Sequence, residues 1–512
     1  MNVDLIPDSR PTSPLGKVVL FFPRFRSPQY PVWLPMEVMT VATALWKAGY
    51  RVRVLDDRLE PLAEEILLQE AEGALFVGSS ARPGDQVIRT YQVFTKLKSR
   101  HPNVVTVFGG WFASTFPEAC VGIGPVDIVV SGNGDRSVVE LADRLREGRD
   151  LQGVLGVRAK LNGAIVVNPR RPLEPIDESP RIPFERFPIE RYVTYDKCLS
   201  YYTSRGCPAA CRFCCVPVAY PREWTGYSAA RVVDEMELLH RRFGVEIFKI
   251  HDTNFFPDFD RARAICRGLL ARELKVRWIV DVRVRDILQF DDEMWDLLVR
   301  SGCRELETGG EAGCDRQLER IAKECTSEEI FEAASRVVAR GINMRVNFIF
   351  GLHGERRAEL LCTLRLLRRL QSLGPLVKLQ FYRYTPVPTT ELGLETWKLV
   401  TRGHDGSVPR DAESIVMIPL NHDVAKLFWL SESEERRVKR LYYFYLPLVY
   451  YFPYLPDERP GLRRWVLRRL ISVARWRVRF GITALPFERW LCRRFGRPMP
   501  RTREFEWKQQ LC

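Results

Sequence analysis

The chain has 512 residues, of which 46% are hydrophobic and 28% are charged. A chain of this length and composition can bury large cores in about two or three domains, which excludes an intrinsically disordered protein. Its thirteen cysteines are scattered along the chain, which excludes a small secreted disulfide scaffold and favours a reducing compartment, the cytoplasm.

The positive charge of the chain is concentrated near its C-terminal end. The net charge is +14, and the segment 461–512 alone holds fourteen Lys and Arg residues against three Glu. The rest of the chain is therefore nearly balanced, and its total charge does not by itself predict a nucleic-acid-binding protein. At the other end, residues 1–14 lack the basic region and apolar core of a signal peptide, and we expect a short flexible lead-in.

The first predicted domain, residues 15–150, alternates short apolar runs with helical patterns. Strands that alternate with helices usually pair in parallel, so this region predicts a doubly wound, Rossmann-like sheet. In such a sheet, the ligand crevice lies at the carboxyl ends of the strands. The predicted strands are 18–22, 51–55, 74–77, 104–108 and 127–130, and the predicted helices are 38–47, 85–99 and 136–148.

Small residues follow three of these predicted strands. They are Ser79 and Ser80, Gly109 and Gly110, and the segment 132–135. Small side chains let a flat ligand approach the backbone, although tight turns require glycine for their own reasons. A linker, residues 151–192, follows the domain; it is rich in Pro and Arg and contains a predicted hairpin around 162–163.

The centre of the chain carries Cys207, Cys211 and Cys214 with the spacing C-x3-C-x2-C, directly after the apolar run 199–202. Three thiolates can hold three irons of a [4Fe-4S] cluster and leave the fourth iron open to a ligand from outside the protein. The alternatives are buried free thiols or a zinc knuckle. Zinc would need a fourth Cys or His, and the neighbourhood offers only Cys215 and Cys198, so the spacing favours the cluster.

This spacing, with Phe213 just before the last cysteine, resembles the signature of the radical S-adenosylmethionine (SAM) enzymes. In that family, the open iron binds the amino and carboxylate groups of SAM. Residues 193–400 contain six predicted strands, each associated with helical patterns, and they resemble the partial (β/α)6 barrel of the family, whose chemistry lies at the C-terminal rim. The predicted barrel strands are 199–202, 245–250, 276–280, 304–308, 344–350 and 377–382.

Three segments at the predicted rim resemble motifs of the same family. Gly309, Gly310 and Glu311 are similar to its glycine–glutamate turn, in which the carboxylate accepts hydrogen bonds from the ribose or the ammonium of SAM. Gly351 lies in a segment that resembles a loop close to the adenine, and residues 384–390 resemble the T-P-x-P-x-T turn that ends the barrel. Without the resemblance, Glu311 is equally well explained as a solvated glutamate at the start of a helix.

The first domain resembles the cobalamin-binding domain that precedes the radical domain in a large subfamily of these enzymes. There, the serine and Gly-Gly turns line the slot for the nucleotide tail, which implies that Ser79, Ser80, Gly109 and Gly110 contact cobalamin. The D-x-H-x-x-G motif of methionine-synthase-type domains is absent, because residues 23–27 read P-R-F-R-S, so this motif supplies no histidine to cobalt. The alternative is a site that has lost cobalamin and serves as a substrate platform.

The last region, residues 401–512, is predicted to be mainly helical, basic and aromatic. The segment 441–456 is apolar but too short and too rich in proline to span a membrane. The segment 462–480 predicts a basic amphipathic helix, which would lie on an anionic membrane surface or meet an acidic partner. It would otherwise pack on the barrel with its arginines in water. RNA binding is less favoured, because no RRM, KH or OB pattern is present.

The resemblance covers residues 15–390 and implies an enzyme that uses a [4Fe-4S] cluster, SAM and cobalamin on a small-molecule substrate. It also implies an external one-electron donor such as flavodoxin or ferredoxin. Our interpretation is a cobalamin-dependent C-methyltransferase that uses a 5'-deoxyadenosyl radical to activate an sp3 carbon. The sequence does not identify a catalytic side chain.

Three alternatives remain open. The first is a radical SAM cyclase or rearrangement enzyme that acts on a lipid, a tetrapyrrole or another natural product. The second is a methylthiotransferase-like enzyme that modifies RNA; it would need a second cluster from three N-terminal cysteines, and the first 190 residues contain only Cys120. The third is a membrane-docked binding protein without enzymatic activity.

Overall fold

The computed structural model of the chain describes residues 14–25, 33–121, 124–161, 163–400, 430–446, 449–450, 462–480 and 482. The predicted lead-in, residues 26 and 27 of the P-R-F-R-S segment and most of the predicted tail lie outside these residues. The α/β architecture predicted from the sequence is confirmed: two sheets follow one another along the chain, and helices flank both.

The first sheet has seven strands in the order β2-β1-β3-β4-β5-β6-β7. The first five strands pair in parallel, because each is an apolar run followed by a helix that returns the chain to the same edge. The strands are β1 (Lys17–Phe22), β2 (Arg51–Asp56), β3 (Ala74–Ser80), β4 (Thr106–Gly109), β5 (Ile128–Val130), β6 (Val157–Leu161) and β7 (Ala164–Val167). The helices of this region are α1 (Met36–Lys47), α2 (Ala63–Glu70), α3 (Asp85–Arg100), α4 (Gly110–Thr115), α5 (Pro117–Val121) and α6 (Gly134–Arg146).

The hairpin predicted around residue 162 is formed by β6 and β7, and it is not a free connection. Strand β6 pairs antiparallel with β5, so the hairpin extends the first sheet. Three short 3-10 helices follow, and each buries one apolar residue, namely Ile176, Phe184 and Ile189. The segment that we expected to be a linker is therefore packed against the rest of the protein along much of its length.

The second sheet has six parallel strands in the order β15-β14-β13-β12-β11-β8, as the sequence predicted. A separate pair, β9 and β10, lies beside it. The strands are β8 (Cys198–Tyr201), β9 (Ser204–Gly206), β10 (Trp224–Gly226), β11 (Ile247–Ile250), β12 (Arg277–Asp281), β13 (Cys303–Glu311), β14 (Asn343–Phe350) and β15 (Val377–Arg383). The helices are α7 (Val216–Ala219), α8 (Ala229–Phe243), α9 (Phe259–Ala271), α10 (Val284–Leu288), α11 (Asp292–Arg300), α12 (Asp315–Arg320), α13 (Ser327–Ala339), α14 (Arg357–Ser372) and α15 (Glu391–Val400).

Local sequence signals explain where several of these helices begin. The side chains of Ser228, Asp258 and Asp291 accept hydrogen bonds from the first turns of α8, α9 and α11. Thr326 and Glu329 form a capping box at the start of α13. The apolar faces of the two sheets and their helices share one continuous core, and the other face of the first sheet has a second core of its own.

The described part of the C-terminal region packs on the barrel. It contains α16 (Glu432–Arg440), a π-helical stretch (Leu441–Tyr445) and α17 (Leu462–Arg479). The ring of Tyr450 lies 5.6 Å from that of Phe381 on β15, measured between centroids. Helix α17 confirms the helix predicted over 462–480. None of the described helices combines the length and the apolar composition that crossing a membrane requires.

Candidate active site

The three cysteines of the C-x3-C-x2-C segment lie in an irregular loop between β9 and α7. The entry to this loop is fixed by Asp252, which follows β11. Its Oδ1 atom accepts hydrogen bonds from the backbone N–H groups of Thr203 and Ser204, at 2.6 and 3.0 Å. Asp252 is 1% exposed, and burial raises the pKa of its carboxyl group. A buried carboxylate that is held by backbone donors orders the chain four residues before the first cysteine.

Cys207, Cys211 and Cys214 are partly buried, and Cys211 lies within electrostatic range of both Cys207 and Cys214. Burial raises the pKa of Cys207 and of Cys214. Among the described residues, no group of three or more His, Cys, Asp or Glu side chains surrounds a single point as the ligands of one metal ion would. The thiolates of a cluster bind different irons, so they do not have to converge on one point.

Two cations flank the cysteine loop. Arg283 and Lys323 both lie within electrostatic range of Cys207, and both oppose the rise that burial causes in the pKa of its thiol. Each cation is held by a carboxylate: Arg283 donates to Glu324 at 2.8 Å, and Lys323 donates to Glu311 at 2.9 Å. Thiolates are anionic, and a nearby positive charge stabilises them. Two fixed cations beside the loop therefore favour an anionic metal centre over neutral free thiols.

Lys323 belongs to a turn that packs directly on the cysteine loop. The backbone N–H of Arg212 donates to the carbonyl of Ile321 at 3.1 Å. On either side of Lys323, Ala322 and Glu324 have φ values of +52° and +56°, in the left-handed region that residues other than glycine rarely adopt. The lysine is therefore presented by an unusual backbone geometry at the edge of the cysteine loop.

The glycine–glutamate turn at the end of β13 lies beside the same lysine. Glu311 also has a positive φ, +60°, and its carboxylate folds back over Gly309. A Cβ atom at Gly309 would overlap Oε1 of Glu311 and lie 2.6 Å from Nζ of Lys323, so a larger residue there would displace this ion pair. A Cβ atom at Gly310 would lie 2.8 Å from Val346 on β14. Gly309, Gly310 and Glu311 therefore lie next to the turn that packs on the cysteine loop, and the ion pair between Glu311 and Lys323 connects them to that turn.

Two further predicted residues lie in different surroundings. Phe213 is partly buried and packs against the main core. Gly351 has a φ of +81°, and a Cβ atom there would lie 3.4 Å from Val438 of α16, so the C-terminal region covers this glycine. Its N–H donates to Glu355 at 3.3 Å, and burial raises the pKa of Glu355 to about 8.

A cavity of about 390 Å³ lies between the first sheet and the barrel. All four residues predicted to contact cobalamin line it, namely Ser79, Ser80, Gly109 and Gly110. The opposite wall is formed by residues that lead into the cysteine loop, which are Tyr202, Ser204, Arg205 and Gly206. The volume is typical of a ligand site between two domains.

At the Gly-Gly turn, one wall of this cavity consists of backbone without side chains, and neighbouring atoms pack closely against it. Gly110 has a φ of +86°, and a Cβ atom there would overlap Oγ of Ser80 and lie 3.0 Å from the backbone nitrogen of Ala81. A Cβ atom at Gly109 would lie 3.6 Å from the carbonyl oxygen of Val130. Ser79 is itself held by a hydrogen bond to Thr90, with 3.0 Å between the two hydroxyl oxygens.

Buried polar atoms without hydrogen-bond partners cluster after β5. Among the described residues, Oγ of Ser131, Oδ1 of Asn133 and Oδ1 of Asp135 have none. Asn133 and Asp135 line the cavity, and the guanidinium of Arg205 lies 3.8 Å from Asp135. An unsatisfied buried polar group destabilises the fold by about 1–3 kcal/mol, so its presence in a cavity fits a ligand with hydrogen-bonding groups. A glycine-lined slot with free polar atoms at its end fits cobalamin, whose tail is both flat and polar.

Sequence reasoning missed one feature of the cavity, Arg82, whereas the segment 251–255 was expected to face the substrate or to consist of satisfied polar residues at the rim. Arg82 donates from the first domain to the hydroxyl of Tyr202 in the barrel domain, and its guanidinium lies 5.0 Å from the ring centre of Trp33. His251 also lines the cavity, with Nε2 3.3 Å from Oγ of Ser200, and burial lowers the pKa of its imidazole. The position of Arg82 just after β3 is the one signal that could have indicated it, and the same signal indicated His251 after β11.

The barrel sheet also carries a chain of buried charges that no sequence motif indicated. Arg345 lies 2.7 Å from Glu305 and 3.0 Å from Glu307, and Lys378 lies 2.7 Å from Glu305. Lys249 pairs with Glu307. Burial would raise the pKa of Glu307, but Lys249 and Arg345 hold it low. These strands therefore join one another through ion pairs as well as through the backbone.

Two family models match the chain, and each of them covers one half of the site. The model of the radical SAM superfamily matches residues 201–367, and the model of the B12 binding domain matches residues 30–142. The first match includes all three cysteines and the glycine–glutamate turn. The second includes the serine and glycine turns of the cavity.

The proteins similar to this chain include two curated relatives and one solved structure. The "Uncharacterized methyltransferase PH0819" of Pyrococcus horikoshii is 30% identical over 308 residues, which are 59% of this chain and 65% of the relative. The anaerobic magnesium-protoporphyrin IX monomethyl ester cyclase of Rubrivivax gelatinosus is 28% identical over 378 residues, 70% of this chain and 66% of the relative. The chain thus spans slightly less than two thirds of either relative.

The solved structure is the radical SAM methyltransferase TsrM of Kitasatospora setae with cobalamin and a [4Fe-4S] cluster bound. It aligns with a TM-score of 0.64 and 23% identity, over 75% of this chain and 78% of TsrM. This likeness supports the arrangement of the two domains.

Proposed function

The chain belongs to the radical SAM superfamily and carries a B12-binding domain ahead of its radical SAM domain, and we propose that it is a cobalamin-dependent C-methyltransferase acting on an unactivated carbon of a small molecule. The observation that carries the proposal is the cavity between the domains. One wall holds the glycine and serine turns, and the other runs through Ser204 and Gly206 directly into Cys207. A methyl carrier and a radical source need such adjacent sites.

Cys207, Cys211 and Cys214 would hold the [4Fe-4S] cluster. Arg283 and Lys323 would offset the negative charge of the three thiolates, because both are fixed cations beside the loop. When bound, the cluster supplies an electron that cleaves SAM to a 5'-deoxyadenosyl radical, and cobalamin supplies a methyl group. The protein contributes positioning and the exclusion of water.

Glu311 and Lys323 would receive the amino-acid end of SAM. That end carries one ammonium and one carboxylate, and the ion pair offers one carboxylate and one ammonium beside the cysteine loop. A zwitterion can therefore exchange partners with this pair without leaving a buried charge unpaired. Phe213, Gly310 and Gly351 would shape the surrounding pocket, as the resemblance implies.

Ser79, Ser80, Gly109 and Gly110 would line the slot for the nucleotide tail of cobalamin. The free polar atoms of Asn133 and Asp135 support this assignment, because they can accept hydrogen bonds from the ligand. Arg82 and Tyr202 would close the cavity between the domains through their hydrogen bond.

The same proposal includes the conditions that such an enzyme needs. An external one-electron donor such as flavodoxin or ferredoxin would reduce the cluster, and a reducing compartment, the cytoplasm, would protect it. The protein would also contact a membrane surface through its C-terminal region.

A second candidate function is a radical SAM cyclization, and similarity to the cyclase of Rubrivivax gelatinosus over 70% of this chain favours it. Methylation consumes SAM in two ways and yields both 5'-deoxyadenosine and S-adenosylhomocysteine. A cyclase yields 5'-deoxyadenosine without S-adenosylhomocysteine. The two functions are therefore separated by their products.

The test begins with anaerobic purification of the full chain and measurement of iron, sulfide and corrinoid per polypeptide. The reduced protein is then incubated with SAM that carries a labelled methyl group. We expect bound corrinoid, release of 5'-deoxyadenosine and transfer of label to the corrinoid with formation of S-adenosylhomocysteine. A protein that cleaves SAM but neither binds corrinoid nor forms S-adenosylhomocysteine would overturn the methyltransferase proposal and favour the second candidate.

A further inference from the structure

Helix α17 is fixed on the protein by one apolar side. Where burial is described, from residue 469 onward, its buried apolar residues recur at helical intervals and are Leu470, Ile471, Ala474 and Val478. Its C-terminal end is also tied to α14, because the guanidinium of Arg357 donates to the carbonyl of Phe480 at 3.5 Å. The sequence left open whether this helix packs on the barrel or faces a partner, and the buried side settles the first part of that question.

The opposite side of α17 exposes large apolar groups to water. Trp476 is 57% exposed, Phe480 is 46% exposed and Val473 is 37% exposed. The rings of Trp476 and Phe480 lie 5.3 Å apart, measured between centroids. Three neighbouring apolar side chains on one exposed helix face form a patch that single scattered residues do not form.

Arginines from two helices lie beside this patch. Arg357 of α14 donates to the carbonyl of Phe480, and the guanidinium of Arg479 of α17 lies 5.5 Å from the ring centre of Phe480. Arg368 of α14 and Arg475 of α17 both lie within electrostatic range of the Tyr450 hydroxyl. Among the described residues, none of the exposed arginines of this surface forms an ion pair with a carboxylate, whereas the adjacent Arg369 pairs with Glu328 at 2.7 Å. These exposed arginines are Arg357, Arg365, Arg368, Arg475 and Arg479.

We propose that this face, the exposed side chains of α17 and the five arginines around them, binds the surface of an anionic lipid bilayer. Tryptophan and phenylalanine enter the boundary between headgroups and acyl chains, and arginines that form no ion pair with a carboxylate can pair with lipid phosphates. An exposed helix face that carries two aromatic rings and an aliphatic side chain suits a bilayer better than it suits nucleic acid, which binds in grooves where bases stack.

The position of this face indicates what a membrane contact would do for the enzyme. The C-terminal region that carries it also packs at the end of β14, where Val438 of α16 lies against Gly351. A protein docked through α17 would hold the rim of its barrel near the bilayer, where amphiphilic small molecules are concentrated. The inference specifies the membrane contact of the proposed function, but binding itself needs neither SAM nor a bound cofactor.

The experiment uses the full chain and sedimentation with two kinds of vesicle, phosphatidylcholine alone and phosphatidylcholine mixed with phosphatidylglycerol. We expect binding to the mixed vesicles at least about tenfold tighter than to the neutral ones, and weaker binding at high salt. The triple variant Arg368→Gln, Arg475→Gln, Arg479→Gln should lose at least about tenfold in affinity. The double variant Trp476→Ser, Phe480→Ser should also bind weakly.

Matched controls replace exposed residues elsewhere on the protein. Tyr195→Ser removes an aromatic side chain that is 87% exposed, and the pair Arg100→Gln, Lys275→Gln removes two exposed cations. Both controls should bind vesicles as the parent does, and all variants should unfold at the parent's temperature.

Equal binding to both kinds of vesicle would overturn the proposal, and so would parental binding by the α17 variants. Binding to an RNA oligonucleotide that these variants lose, without binding to vesicles, would overturn it in favour of a nucleic-acid contact. Failure of the vesicle test would leave the methyltransferase assignment untouched, because that assignment is tested by product analysis.

Discussion

The ammonium of Lys323 lies 2.9 Å from the carboxylate of Glu311, and the two side chains are only 11% and 9% exposed. Burial would lower the pKa of Lys323, but Glu311 and the nearby Cys211 keep it above its usual value. Lys323 is therefore charged in the folded protein, and Glu311 is the carboxylate that compensates this buried charge.

The first prediction concerns this pair. Lys323→Met leaves Glu311 buried without its partner, so we expect a loss of about 3–5 kcal/mol in the free energy of unfolding. We also expect SAM affinity to fall at least about tenfold, because a charge-assisted hydrogen bond to the SAM carboxylate would be lost. Chemical unfolding and equilibrium dialysis with SAM, on protein with its cluster reconstituted, measure the two effects.

Lys249→Met is the matched control for that variant. Lys249 and its partner Glu307 are similarly buried, 15% and 12% exposed, but they lie within the charge network of the barrel sheet. The control should lose similar stability and keep its SAM affinity. Equal SAM affinity in the two variants would contradict the role given to Lys323.

A second prediction concerns the cysteine loop. Replacing Cys207, Cys211 or Cys214 by alanine should remove most of the bound iron and abolish release of 5'-deoxyadenosine. With only two thiolates left, one more iron of the cluster has no protein ligand. Cys215→Ala serves as the control, since Cys215 is adjacent in sequence and is also partly buried. It should retain iron. Iron content that survives all three substitutions would show that another site binds the metal.

Gly110→Ala provides the third prediction. The added Cβ atom would overlap Ser80 and adopt a φ of +86°, so we expect a loss of about 1–3 kcal/mol in stability and less than about one tenth of the parental corrinoid content. Iron content should be unchanged. The control is Gly148→Ala, which has a φ of +64° but open space around the added atom. If both variants bind corrinoid equally, the Gly-Gly turn does not line its slot.

The fourth prediction is a dependence of stability on pH. Burial raises the pKa of Glu355 from its usual 4.5 to about 8, so the folded state holds a proton that the unfolded state has released. The stability that this provides is present below about pH 4.5 and is lost as pH rises through 8. Glu355→Gln should remove that loss, so its unfolding temperature should exceed the parent's by more at about pH 9 than at about pH 6.

Glu319→Gln, at an exposed carboxylate, is the control for the pH experiment. It should follow the parent at both pH values. A parental pH profile in Glu355→Gln would indicate that Glu355 is already ionised in the folded protein.

The order of strands and helices could be predicted from the sequence because short apolar or alternating runs recur between helical patterns. The predicted strand 18–22 corresponds to β1, and 377–382 corresponds to β15. Short strands such as β9 and β10 were not predicted, since three residues carry no recognisable period. The hairpin of β6 and β7 was predicted, but its attachment to β5 was not, because pairing between distant strands leaves no local signal.

The residues of the site also fall into a group that the sequence indicated and a group that it did not. Spacing indicated the cysteines, and turn chemistry indicated the serines at the end of β3 and the glycines at the end of β4. Lys323, Arg82 and the charges of the barrel sheet were not indicated. They lie in ordinary polar positions of the sequence, and only the fold brings Lys323 to Glu311 or Arg82 to Tyr202. Their partners are too distant along the chain for a pattern to reveal.

The turn around Lys323 has one more consequence. A left-handed conformation at a residue other than glycine costs about 1–3 kcal/mol, and the turn contains two such residues, Ala322 and Glu324. Folding has already imposed this arrangement on the chain, so an arriving ligand meets an ammonium whose position does not have to be set anew at every turnover. The fixed position of the Lys323 ammonium therefore lowers the free energy of unfolding of the protein.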